Sequence, residues 1–308
     1  MNKSEFQSKL IDSLNARVSP GFSVRVDHIT KNNSVKLTAL ILYDEQETEE
    51  IVSPLVYVDL FYELYQEGEP FEKVVDDAWT VLNMPAPPRL TSTLMEDRDY
   101  VLGHAVLRLV GREGNREALS EVLYREFLDL AVTIGVLLLN EETGRPEALC
   151  VLTREMFEQL GITEDELFEK ARENSVEYLG ASLKDMHRLL LLPGENSEVD
   201  PERPYTSDPA VYVLTNRNYC YGAGAILYSD LVKRLSQSLG KDLLVIPSSI
   251  HELLILEDQG GGHADSVREF VCGINRSELK PEDILSDSVY RYSLEKDRME
   301  IAEAAVSA

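Results

Sequence analysis

The segment "PSSIHE", residues 247–252, holds the side chains of this sequence that are best suited to chemistry. Ser248 and Ser249 carry hydroxyls, His251 carries an imidazole and Glu252 a carboxylate, which are groups used in acid–base and nucleophilic catalysis. The apolar runs "DLLVI" and "LLILE" flank the segment, and each is typical of a buried strand. We therefore expect these side chains at a strand end, where residues of neighbouring strands can converge.

The residues around these groups do not complete a known catalytic motif. His251 and Glu252 lack the second histidine of the H-E-x-x-H zinc proteases, and the two serines lack the glycines of G-x-S-x-G. Consecutive strand residues point to opposite faces, so His251 and Glu252 should not pair directly. The favoured interpretation is a polar bend in which the serines cap a turn. The alternative is a catalytic site built from Ser248, Ser249, His251 and Glu252.

A second group of polar and aromatic residues is a candidate for ligand binding. Lys31, Asn32 and Asn33 lie in the turn "TKNN" and offer donors that could hold a carboxylate or a phosphate. Asparagines tolerate left-handed backbone geometry, so an ordinary hairpin turn explains them equally well. Tyr57 and Tyr62 lie on a predicted amphipathic helix, beside a possible groove.

Glycines and cysteines add no predicted cofactor or metal site. Gly222 and Gly224 precede an apolar helix and lack the third glycine of a dinucleotide fingerprint, so close packing is favoured over an anion site. Cys150, Cys220 and Cys272 are far apart, form no C-x-x-C pair and lie in apolar segments. We expect reduced, buried thiols.

The charge balance restricts the classes of partner. The 308 residues include 55 Asp and Glu against 30 Lys and Arg, a formal net charge of −25. Such a field repels phosphate backbones and anionic lipids, so we expect neither a nucleic acid nor a membrane as partner. No apolar run reaches the roughly 18 residues of a transmembrane helix, and the first residues lack the apolar centre of a signal peptide. A cytoplasmic protein is expected.

Hydrophobic periodicity predicts an α+β fold, a mixed sheet with packed helices. A small N-terminal helix–hairpin–helix unit, residues 1–84, is expected to join a larger α+β unit, residues 85–308, across the proline-rich stretch at 83–93. The larger unit should contain a helical insert near 153–192, with Thr163 and Glu166 at capping-box spacing. A further helix is expected where leucines and a phenylalanine recur at residues 119–130. One continuous domain is the alternative.

Several of these segments together resemble a bacterial family, the domain of unknown function 5688 family. They are "TKNN", "SPLVYVDLFYELYQEG", "YREFLDLAV", "LGITEDELFEKARENS" and "VIPSSIHELLILED", and the resemblance extends over about residues 3–295. Residues from Thr153 onward are more distantly similar to the domain of unknown function 1444 family, in which other polar residues replace Ser-Ser-Ile-His-Glu. The resemblance implies one α+β unit in an intracellular bacterial protein, and it implies no activity, cofactor or catalytic residue.

Two main functions are compatible with these patterns, beside a third in which His251 binds a metal ion together with distant carboxylates. The favoured hypothesis is a non-catalytic accessory or regulatory protein that binds another protein or a small molecule. The alternative is a hydrolase or transferase whose site contains His251 with Ser248 or Ser249, which requires a further polar group within reach of the imidazole.

Overall fold

A computed structural model describes residues 1–45, 54–84, 92–140, 143–192, 196–204, 210–260 and 262–302. The mixture of helices and antiparallel sheets confirms the predicted α+β class. Within the described residues, none of the helices combines the length and the apolar character needed to cross a membrane. Most of the proline-rich stretch that was predicted to separate two units lies outside the described residues.

The chain divides into two compact units. The smaller unit contains Met1–Asp97 and Leu138–Ala148, and the larger contains Arg98–Leu137 and Leu149–Ala308. The predicted division at residues 84 and 85 stays a prediction.

The smaller unit begins as its sequence pattern predicts. Its elements are α1 (Lys3–Asn15), β1 (Phe22–Thr30), β2 (Lys36–Asp44), β3 (Val56–Tyr57), α2 (Val58–Gln66), α3 (Phe71–Leu82) and α4 (Ser92–Glu96). β1 and β2 form the expected hairpin around a short 3₁₀ turn at Asn32–Ser34, in which Asn33 takes a left-handed conformation (φ 58°). Apolar residues of α1, α2 and α3 enclose one core.

The larger unit opens with a sheet of strongly apolar strands. Its elements are α5 (Arg98–His104), β4 (Ala105–Gly111), α6 (Arg116–Ser120), β5 (Tyr124–Phe127), β6 (Leu130–Leu139) and β7 (Pro146–Val151). The residues of β6 and β7 that fall within Leu138–Ala148 belong to the smaller unit. The central strand β6 pairs with β4, β5 and β7. Every residue of β4 is buried, including Arg108.

The helix predicted at residues 119–130 is wrong. The helix α6 ends at Ser120, and Tyr124–Phe127 form a strand that turns back into β6 through Leu128 (φ 56°). The apolar residues that recur about every four positions therefore lie at the end of a helix and in two strands. Pairing with β6 satisfies the backbone of residues 124–127, which a helical pattern alone cannot reveal.

The stretch near 153–192 begins with two helices, α7 (Arg154–Leu160) and α8 (Glu164–Asn174), followed by a π-helical turn at Ser175–Leu179. The helical insert predicted over this stretch stays a prediction, and residues 182–185 within it form a strand. Thr153 and Thr163 cap the two helices through their hydroxyls, which accept backbone hydrogen bonds, and Gly161 ends α7 in a left-handed conformation (φ 64°).

A six-stranded antiparallel sheet completes the larger unit in the order β13–β12–β10–β11–β9–β8. Its elements are β8 (Ser182–Asp185), α9 (Met186–Leu191), β9 (Val211–Thr215), a 3₁₀ segment (Gly222–Leu227), α10 (Leu231–Leu239), β10 (Leu243–Ile246), β11 (Leu253–Glu257), α11 (His263–Ser277), β12 (Tyr290–Ser293) and β13 (Arg298–Ile301). Tyr212 and the leucines of β10 are fully buried and form much of the core.

Candidate functional site

The "PSSIHE" segment forms the connection between the antiparallel strands β10 and β11. The Ser249 hydroxyl accepts hydrogen bonds from the backbone N–H groups of His251 (3.1 Å) and Glu252 (3.2 Å). Ser249 is 6% exposed, so this hydroxyl holds the bend and does not face an open cleft. Ser248 is half-buried, and in the described part of the chain its hydroxyl makes no hydrogen bond to His251.

Both ring nitrogens of His251 face a partner. Nδ1 accepts a hydrogen bond from the backbone N–H of Tyr221 at 3.3 Å, and Nε2 lies 3.5 Å from a carboxylate oxygen of Asp283. An Nδ1 that accepts carries no proton, so the neutral ring is protonated at Nε2, toward the carboxylate. The imidazole is therefore fixed in one orientation, with its accepting nitrogen occupied by the backbone.

The acidic partner of His251 is not its neighbour in sequence. Glu252 makes no ion pair with His251 in the described part of the chain. Asp283 lies 32 positions away from His251, in the loop before β12, and the backbone N–H of Ile250 donates to its carbonyl at 2.9 Å. The two segments are thus tied together by backbone and side chain.

The loop between β9 and the 3₁₀ segment has an unusual backbone. Tyr219 and Tyr221 both take left-handed conformations, with φ 52° and 51°, which cost free energy in residues other than glycine. The fully buried side chain of Asn216 holds them in place. Its oxygen accepts from the N–H groups of Asn218 (3.1 Å) and Cys220 (3.3 Å), and its amide donates to the Cys220 carbonyl at 2.8 Å.

Gly222 packs this loop directly against the "PSSIHE" bend. A Cβ atom on Gly222 would lie 2.3 Å from the carbonyl oxygen of His251 and 2.2 Å from the hydroxyl of Thr215. That hydroxyl in turn donates to the same carbonyl at 2.9 Å. The preference for close packing at Gly222 is thereby confirmed, and the N–H groups of Ala223 and Gly224 bond to backbone carbonyls.

Arg108 is a buried cation beside this loop. It is 8% exposed, and within the described residues it forms no ion pair or hydrogen bond; its Nε is completely enclosed. A charged group in such a position costs several kcal/mol unless a partner compensates it. Its guanidinium carbon lies 4.5 Å from the ring centroid of Tyr221. A desolvated cation–π contact of this kind stabilises the folded state by about 2 kcal/mol.

The neighbouring strand β6 makes room for this side chain. Thr133 lies directly opposite Arg108 in the antiparallel register, and its enclosed hydroxyl has no hydrogen-bond partner in the described part of the chain. Gly135 lies two residues after Thr133 in β6, and any side chain at this position would collide with its neighbours. A Cβ there would approach Arg108 Cδ at 2.9 Å and Leu149 Cδ2 at 2.6 Å.

Two thiols lie within the electrostatic reach of Arg108. Burial raises the pKa of the Cys150 and Cys220 thiols, and the charge of Arg108 opposes part of that rise. All three cysteines are free, but the expectation that they are buried is wrong. Cys220 is an exposed residue, although its sulfur is still partly surrounded by protein.

The candidate ligand residues of the smaller unit have structural contacts of their own. The ammonium of Lys31 lies 4.9 Å from the ring centroid of Tyr57, and Asn33 forms the turn. Asn32 accepts the backbone N–H of Val35 at 3.4 Å through its carbonyl. Tyr62 packs on Phe6 with ring centroids 5.2 Å apart, and its hydroxyl donates to the Met1 carbonyl at 3.2 Å.

Metal-binding groups and cavities are two further kinds of possible site. Across the described residues, His, Cys, Asp and Glu side chains do not form a group of three or more that could hold a metal ion. A cavity of about 460 Å³ in the larger unit is lined by apolar side chains together with Arg172, Ser229 and Asp230. Its lining includes none of the residues singled out from the sequence.

Comparison with protein families shows to which family the chain belongs. Residues 3–294 match a family of unknown function, DUF5688. The chain belongs to the DUF5688 family. Neither the curated proteins nor the solved structures contain a significant match to this DUF5688 chain. The predicted family is confirmed, and the more distant resemblance to the domain of unknown function 1444 family stays a prediction.

Sequence reasoning missed the residues that surround His251 in this DUF5688 protein. Asp283, Tyr221 and Arg108 come from three separate segments, and the fold brings them to one place. The one signal in the sequence is an arginine in the otherwise apolar run "AVLRLVG". Charged residues are almost never fully buried without a partner, so an arginine at the centre of a predicted core strand indicates a site.

Proposed function

We propose that this DUF5688 protein is a non-catalytic binding protein for a small molecule, with its site where the loop at residues 216–221 meets the "PSSIHE" bend. The observation that carries the proposal is the strained conformation of Tyr221. A non-glycine residue with positive φ persists where the surrounding structure imposes it, and such residues cluster at ligand clamps and active sites. Here Asn216 and His251 impose it from two sides.

The geometry of His251 supports binding over hydrolysis or group transfer. A general base needs a free lone pair directed at the proton that it removes. The lone pair of His251 Nδ1 accepts from the Tyr221 backbone, and Nε2 faces Asp283. The hydroxyl of Ser249 accepts two backbone hydrogen bonds in the bend. These contacts support a role of both residues in holding Tyr221 in place.

We also propose a cytoplasmic location and an accessory or regulatory role, as the composition suggests. The three free cysteines support a reducing compartment, because secreted proteins use paired cysteines as disulfides. The acidic surface supports a small-molecule partner over a nucleic acid or a membrane.

Native mass spectrometry of the untagged full chain, incubated with a deproteinised bacterial extract, tests the proposal. We expect an added small-molecule mass that disappears on denaturation. Asn216→Ala removes the interior clamp of the loop and should abolish this mass. Asn83→Ala removes a comparable side-chain hydrogen bond, to the Trp79 carbonyl in the smaller unit, and should retain it. A wild-type spectrum without added mass, or a mass that Asn216→Ala keeps, contradicts the proposal.

A further inference from the structure

We propose that Arg108 is the anchor of a carboxylate-binding site and that the ligand of this protein is a small monocarboxylate. The inference rests on the proposed function, since it specifies the ligand of the same site. It is carried by two buried polar side chains that face each other across β4 and β6, Arg108 and Thr133, neither of which has a hydrogen-bond partner in the described part of the chain.

Both side chains are buried, Arg108 with 8% and Thr133 with 3% of its surface exposed. The enclosed atoms without a partner in the described part of the chain are Nε of Arg108 and the hydroxyl oxygen of Thr133. A guanidinium carries five N–H donors in a planar fork, and buried donors are almost always satisfied. The Tyr221 ring contacts the guanidinium as a π system and supplies no acceptor oxygen to the fork. A ligand that brings acceptor oxygens would satisfy these donors.

The fold keeps space for the stem of Arg108 over β6. Gly135 lacks the Cβ atom that would collide with this stem and with Leu149, and the Tyr221 ring lies against the guanidinium. These neighbours restrict the conformations that the side chain can take. A confined guanidinium is preorganised for a planar partner, because carboxylates meet arginine through two parallel hydrogen bonds.

The charge of Arg108 favours a carboxylate over a phosphate. Its guanidinium acts on both nearby thiols, Cys150 and Cys220. The structure also joins Tyr221, through His251, to the carboxylate of Asp283. One guanidinium neutralises one negative charge, and a phosphate dianion would leave a second charge in an acidic protein.

The loop beside Arg108 forms part of the surface, because Cys220 is exposed, Tyr221 is half-buried and His251 retains 38% side-chain exposure. The proposal requires the ligand to approach Arg108 along the edge of Tyr221. The hydroxyl of Thr133 then offers a further donor on the same face of the sheet, because directly opposed residues of antiparallel strands lie side by side.

The test follows the Nε–H signal of Arg108 by NMR in the ¹⁵N-labelled full chain, at constant ionic strength. The signal is assigned from its loss in Arg108→Met. Titration with sodium acetate, sodium propionate and sodium benzoate should shift it saturably, and inorganic phosphate should bind more weakly than the best carboxylate. We expect Arg108→Lys to weaken binding about tenfold or more, measured on the Thr133 amide signal, because an ammonium cannot form the paired hydrogen bonds.

The matched control is Arg112→Met, which removes an exposed arginine just beyond the same strand, paired with Glu126, and should leave the affinity unchanged. If Arg108→Lys does not fold, Thr133→Val replaces it as the test variant. This substitution preserves the shape of the side chain and leaves Arg108 in place, and it should weaken binding. Saturation by phosphate at lower concentration than by any carboxylate overturns the ligand class, and no shift with any anion overturns the site. An extract-derived mass that persists in Arg108→Met overturns this inference while the proposed function stands.

Discussion

The backbone N–H of Tyr221 donates a hydrogen bond to Nδ1 of His251 across 3.3 Å, and the Tyr221 ring in turn covers the guanidinium of Arg108. The imidazole thus acts through the backbone of another residue, which is held at φ 51°. This relationship connects the polar bend, which the sequence predicts, to the buried Arg108, which the sequence analysis did not single out. It supports the proposal that His251 positions Tyr221.

Replacement of His251 tests this role directly. His251→Phe keeps an aromatic ring of similar size but removes the acceptor for the Tyr221 N–H. An unpaired, partly buried N–H costs about 1–2 kcal/mol, so we expect the free energy of unfolding in urea to fall by that amount. His251→Asn offers a side-chain oxygen near the same position and should lose less. Equal losses in both variants would show that the hydrogen bond does not position Tyr221.

Gly135 should be intolerant of even the smallest side chain. Gly135→Ala places a Cβ within 2.6–2.9 Å of side-chain atoms of Leu149 and Arg108, and overpacking of this kind costs about 1–3 kcal/mol. The matched control is Gly273→Ala in α11, where nothing lies within 4 Å and the helix should gain about 0.5–1 kcal/mol. Thermal unfolding of both variants checks the contrast, and a neutral Gly135→Ala would mean that Arg108 is not confined there.

The sequence predicts local elements of this fold well because local physics determines them. The hairpin at "TKNN", the capped helices α7 and α8, and the strands β10 and β11 each follow from turn residues, caps or apolar runs within their own segments. Residues 119–130 failed because strand pairing with β6 overrode a helical spacing. Such pairing is a long-range property, and a single sequence does not display it.

The candidate site shows the same limit. The sequence predicts the bend that contains His251, because polar residues there separate two apolar strands. It also predicts that Ser249 caps the turn, as its hydroxyl does. Asp283 and Tyr221 lie 32 and 30 positions from His251, and Arg108 lies much farther away along the chain. Their convergence depends on the order of the strands, for which no local signal exists.

The reactivity of Cys220 should report the charge of Arg108. Burial raises the pKa of this thiol and the guanidinium partly opposes the rise, so Arg108→Met should raise the pKa further. The thiolate is the nucleophile, and alkylation by iodoacetamide at pH 8 should therefore slow in the variant. The pH dependence of the rate, followed by mass spectrometry of the Cys220 peptide, measures the change. An unchanged profile would show that Arg108 does not act on Cys220.

Tyr290 should make the fold sensitive to alkaline pH. Its hydroxyl donates to the Asp129 carboxylate, and burial, together with this hydrogen bond, raises the pKa of Tyr290 above its ordinary value of 10.0. The folded state then holds the proton more tightly than the unfolded state, so the stabilisation is complete below pH 10 and is lost progressively as the pH rises above it. We expect the free energy of unfolding to fall by about 1.4 kcal/mol per pH unit in that range from this group. Tyr290→Phe should remove this contribution to the slope in urea unfolding between pH 9 and pH 11, whereas Tyr124→Phe, at an exposed position, should retain it. A wild-type slope that Tyr290→Phe leaves intact would assign the alkaline sensitivity to other groups.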